Sequence, residues 1–183
     1  MRPDGTGHYQ LTSSPHWDWM PHWIDSANKV VFIRATDSSH DIYELDLSDM
    51  SERVLLESDG QETYIDVSPE HSKIVFHSTR DNLDDGDDSN DHLGDIYVMN
   101  ADGSDVQNLT ETLGFDDLAP SFSPDGEKLA FVSGETHPVL AWRVFIMDED
   151  GNDASAITPK DGIWNTDQFE ASEPAWSPDG NTI

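Results

Sequence analysis

The chain has 183 residues, with 9 Lys and Arg against 38 Asp and Glu, a formal charge of −29 and no cysteine. That length is enough for one domain with its own core. The charge repels nucleic-acid phosphates and anionic lipid headgroups, and the missing thiols exclude disulfides, thiolate metal sites and a cysteine nucleophile.

Residues 1–12 begin with the turn-like RPDGTG and reach Leu11–Thr12, which reads as the end of an outer strand; no signal-peptide pattern follows Met1. WIDSANKVVF, Trp23–Phe32, reads as an apolar residue, a turn and a short buried strand. DIYELDL from Asp41 is a third strand, and VLL at 54–56 a fourth. The order then repeats. VSPEHSKIVF spans Val67–Phe76, DIYVMNADG starts at Asp95 and NLT closes the unit at Thr110. It repeats again with PSFSPDGEKLAFVS at Pro120–Ser133, RVFIMDEDG from Arg143 and AIT at 156–158. In SPDG, Pro124 presets φ, Asp125 bonds its own backbone and Gly126 takes positive φ, so the segment is a hairpin turn. PAWSPDGNTI at Pro174–Ile183 starts the pattern once more. The aligned residues Trp23, Val67, Phe122 and Trp176 are 44, 55 and 54 residues apart.

No segment of ten or more residues shows helical periodicity. Four-stranded antiparallel units in tandem predict an all-β propeller. Residues 1–12 are the outer strand of an incomplete blade and 13–57 a first blade with a degenerate repeat. Residues 58–110 are a second blade carrying an acidic loop at 81–95, 111–158 a third, and 159–183 the start of a truncated fourth. A propeller needs about four blades to close. The chain is therefore expected to be a fragment of a longer one, with open inter-blade faces that invite self-association. Two copies completing one ring are the other arrangement. No run is apolar and long enough for a membrane helix.

The most unusual stretch is Asp81–Asp95, with seven aspartates in fifteen residues. Asp85, Asp87, Ser89 and Asp91 offer oxygen ligands at alternate positions, as a calcium loop does. No glutamate stands at the twelfth position of either possible loop, so an EF-hand is excluded. An irregular calcium cage and a solvated, salt-screened acidic loop both remain open, and calcium is the one candidate cofactor. His16, Asp18 and His22 would share a face, and offer a metal three ligands, only on a regular strand. Pro21 argues against regularity. Asp66, Asp117 and Glu173 each stand shortly before an aligned strand residue. With His22 they are candidates for an acidic partner-binding rim; an acid capping a turn in each blade is the simpler reading. No G-x-S-x-G elbow, P-loop, G-x-G-x-x-G or H-E-x-x-H occurs, so no enzyme activity is expected.

SPDGEKLAFVS, DIYVMNADGSDVQNLT and AWSPDG closely resemble the TolB-like propeller repeat, that of the C-terminal propeller of TolB. The first unit departs from it, with IDSANK in place of SPDG and LSDMS in place of the ADGS turn. The resemblance implies an innermost first strand in each blade and partner binding at the rim and channel. It implies a periplasmic or extracellular location and a non-catalytic scaffold for a protein or glycan partner. Similar repeats form accessory propellers of prolyl-oligopeptidase-type serine peptidases. That is the alternative role, with the catalytic module outside this chain. The motif specifies fold more closely than function.

Overall fold

The computed structural model describes residues 4, 6–24, 28–81, 94–111, 115–135, 141–158 and 173–183. They form three four-stranded antiparallel sheets, each a meander in chain order. The first blade holds β1 (Trp17–Trp23), β2 (Lys29–Ala35), β3 (His40–Asp46) and β4 (Ser51–Leu56). The second holds β5 (Glu62–Val67), β6 (Lys73–Ser78), β7 (Asp95–Asn100) and β8 (Gln107–Asn108). The third holds β9 (Phe115–Phe122), β10 (Lys128–Glu135), β11 (Ala141–Asp148) and β12 (Ser155–Ala156). β5 touches β1 on one side and β9 on the other, so the first strands of successive blades line up along one axis. This is the all-β architecture of a TolB-like propeller segment. Among the described residues no helix is long and apolar enough to cross a membrane.

The blades stack because their central strands are apolar on both faces. In β6, Ile74 and Phe76 join Val31, Ile33 and Ile42 of the first blade in one buried layer. Val75 of the same strand faces the other way and, with Ile96, meets Phe122, Leu129 and Phe131 of the third blade. Period-2 alternation thus gives one strand two different neighbours.

The turns carry the chemistry expected of them. Gly126 and Gly180 have φ of 77° and 71°, and their N–H groups donate to Ser123 O and Ser177 O, both at 2.9 Å. The aspartates at 125 and 179 accept from Ser123 and Ser177 Oγ, each at 2.6 Å. In the second blade the matching left-handed position is filled by His71, at φ 58°, which a side chain adopts only at a cost of about 1–2 kcal/mol. The same N–H to Ser68 O bond, 2.8 Å, holds that turn.

A second repeated device is an arginine laid over aromatic rings. Arg34 lies over Phe32 and Tyr43, Arg80 over Phe76 and Tyr97, and Arg143 over Phe145. Arg34 donates to Asp18 at 2.7 and 2.8 Å and to Glu52 at 2.7 Å; Arg80 donates to Glu62 at 3.0 Å. Asp18, Glu62 and Asp117 occupy one repeat position, five residues before Trp23, Val67 and Phe122. The arginines do not align: one sits on a second strand, one just after a second strand, one on a third strand.

Candidate binding site at the channel mouth

Each innermost strand breaks its register once. β1 does so between Trp19 and His22, β5 between Thr63 and Asp66, and β9 where it faces Ala130 and Val132. The residue at each break is left-handed: Met20 at φ 50°, Tyr64 at 49° and Ala119 at 52°. All three stand three residues before the aligned Trp23, Val67 and Phe122. Such bulges bend the strand and re-aim the side chains that follow. A regular β1 would have put His16, Asp18 and His22 on one face. The bulge, which follows Trp19, turns His22 away from the other two, and Asp18 is engaged by Arg34 instead. Among the described residues, no group of three His, Asp or Glu side chains converges as a metal site.

The bulges surround a cavity of about 160 Å³ lined by Met20 and His22, by Tyr64, Ile65 and Asp66, by Ala119, Pro120 and Ser121, and by Glu173 and Pro174. Three of the four rim candidates, His22, Asp66 and Glu173, therefore meet here. Asp66 is fixed by backbone amides: Oδ1 accepts from Val67 N and Oδ2 from Phe122 N, both at 2.8 Å. His22 Nδ1 stands 3.6 Å from Asp66 Oδ1. The Trp176 indole donates to the carbonyl of Ser121, one of the lining residues, at 3.1 Å. The fourth candidate, Asp117, is buried away from the mouth, beside a larger cavity of about 770 Å³ between the second and third blades.

The calcium-loop residues Asp85, Asp87, Ser89 and Asp91 lie outside the described residues. The ends of their loop are described, and they are acidic. Tyr97 Oη donates to Asp81, and Asn108 donates to Asp95 at 2.9 Å and to Tyr97 at 3.1 Å. Burial pushes the Asp95 carboxyl up to about 6, and the charges of Asp117 and Asp81 push the same way, against the Asn108 amide and His77. Burial and Asp81 likewise raise the Tyr97 phenol above its usual range. A carboxyl raised in the folded state contributes stability below about pH 4, its unfolded value, and loses it as pH rises through about 6. Asp95→Asn is therefore expected to stabilise the fold by about 1–3 kcal/mol at pH 8 and by little at pH 4.5. Urea melts of both proteins across that range check this. A gap that does not widen with pH contradicts it.

Sequence reasoning missed Met20, Tyr64 and Ala119. The signal was their constant offset from the aligned residue, an offset that Glu173 shares with respect to Trp176.

No protein-family model matches the chain. Over 164 residues it is 29% identical to an uncharacterized protein of Agrobacterium fabrum, covering 87% of this chain and 51% of that protein. It is 47% identical over 55 residues to a TolB homolog of Chlorobium luteolum, 30% of this chain and 12% of the relative. Among solved structures, a protein described as a TolB from Agrobacterium tumefaciens superposes with a TM-score of 0.68 at 27% identity, over 93% of this chain and 57% of that one. TolB from Acinetobacter baumannii gives a TM-score of 0.62 at 22% identity, over 84% and 33%. The chain thus spans about half the length of the Agrobacterium relative, and its TolB-like propeller fold is shared across these comparisons.

Proposed function

We propose that this chain is part of a non-catalytic TolB-like binding propeller, outside the cytoplasm, that holds a protein partner at the channel mouth. The observation that carries this reading is the cavity where segments of four successive units converge, with His22, Asp66 and Glu173 on its wall. Loop and strand-end side chains held by a rigid β scaffold are the usual site of recognition. The likeness to TolB structures supports the location and the scaffold role.

The test uses a displayed library of twelve-residue peptides selected on this chain. His22→Trp fills the cavity from its half-exposed rim. Peptides are expected to bind the unaltered chain and to lose at least tenfold on His22→Trp, with circular dichroism unchanged. Selected peptides that bind His22→Trp equally well overturn the mouth as the site. Turnover of a fluorogenic peptide panel by the unaltered chain overturns the non-catalytic reading and favours the peptidase-associated role.

A further inference from the structure

We infer that the channel-mouth cavity receives a cationic side chain of the partner, a lysine or an arginine. This rests on the reading of the mouth as the partner site and names what enters it. Among the described residues the wall carries two carboxylates, Asp66 and Glu173, and neither Lys nor Arg. Met20, Ile65, Ala119 and Pro120 give the same cavity apolar lining. A charged head on a methylene stem matches that pairing, because such side chains bury the stem and keep the head among polar partners. About 160 Å³ is several times the roughly 30 Å³ a water occupies in liquid, room for a guanidinium and part of its stem.

Asp66 is prepared for this role. Two backbone amides hold its two oxygens, one each, and a carboxylate offers about four lone-pair sites. Two acceptor positions are therefore left for a guest. His22 Nδ1, at 3.6 Å, is beyond hydrogen-bond distance from Oδ1. An organic cation fits better than a metal ion, since no three metal-ligating side chains converge among the described residues. The overall charge of −29 steers cations toward the surface generally. The carboxylate pair at the mouth is what would make one place specific.

Two small probes isolate the charge: N-acetyl-arginine amide and its neutral isostere N-acetyl-citrulline amide. The amides of Val67 and Phe122, which donate to Asp66, are built-in reporters in a ¹⁵N-correlation titration at 150 mM salt. The arginine amide is expected to shift both saturably and the citrulline amide to leave them in place. Glu173→Gln, at an exposed position, should weaken the arginine amide severalfold, and Asp66→Asn with it at least tenfold. The charge-matched pair Asp105→Asn and Asp150→Asn, on turns away from the cavity, should leave affinity unchanged. Equal shifts from both probes, or equal weakening by the control pair, overturn the inference. Library peptides that need the mouth yet tolerate citrulline at every basic position also overturn it, and they leave the proposed function standing. Peptides that never use the mouth overturn that function itself.

Discussion

Arg80→Ala is expected to destabilise the fold by about 3–5 kcal/mol, because it strands a buried carboxylate. Glu62 is fully buried, and its Oε1 accepts from Ser58 Oγ at 2.6 Å, Ser78 Oγ at 2.9 Å and Arg80 Nη2 at 3.0 Å. Among the described residues only the arginine brings a positive charge to it. The hydroxyl bonds that remain are worth about 1 kcal/mol each and do not offset the desolvation of an unpaired carboxylate. The guanidinium also lies over Tyr97 at 4.9 Å and Phe76 at 5.4 Å, so truncation removes packing as well as charge. The decisive comparison is with Arg80→Leu combined with Glu62→Leu. Removing both partners is expected to leave most of the stability in place, since a buried pair gains little over apolar groups of like volume. Urea melts of the single and double variants read this directly. A double variant as unstable as Arg80→Ala would show that the aromatic stack, and not the stranded charge, sets the cost.

Gly94→Ala is expected to cost about 3 kcal/mol, through the seam between the second and third blades. A Cβ at position 94 would stand 2.0 Å from Nε2 of His77 and 2.7 Å from two of its ring carbons. The ring has little room to yield. It is buried, it shares a 2.8 Å hydrogen bond with Thr63 Oγ1, and the Tyr64 ring meets it edge-on at 6.1 Å. Nor is the backbone free to retreat. Gly94 N donates to Asp116 at 3.0 Å, and Gly94 O accepts from Asp117 N at 2.9 Å, which ties this residue to β9. His77→Ala should recover part of the loss in the Gly94→Ala background while being destabilising alone. A double-mutant cycle measures that coupling. Strictly additive losses would rule out the ring as the source of the clash.

Strand pattern, turn chemistry and the fourfold recurrence were all legible in the sequence, because each is local. Alternation with period 2 marks a strand within six residues, and SPDG closes a hairpin with nothing beyond its own side chains. Asp66 and Glu173 could be named as candidates for the same reason, from their place shortly before an aligned residue, and His22 from the histidine- and tryptophan-rich stretch His16–Trp23. Their meeting could not be read. His22 and Asp66 are 44 residues apart, and Glu173 lies 107 beyond Asp66. They share one cavity only because the innermost strands of successive blades run side by side and bulge at matching points. The fate of Asp117 shows the same limit. It too precedes an aligned strand residue, yet it occupies the repeat position of Asp18 and Glu62, ahead of the bulge, and is buried between blades. A bulge costs one residue of register and turns the side chains beyond it to another face, so offsets of one and five residues lead to different places. The arginines over the aromatic rings make the converse point. They come from three unaligned positions, so no repeat in the sequence marks them, and only packing against equivalent rings reveals them as one device. Local chemistry thus determined the blades, and the tertiary structure alone decided which charges face one another, because that depends on distances between strands and not along them.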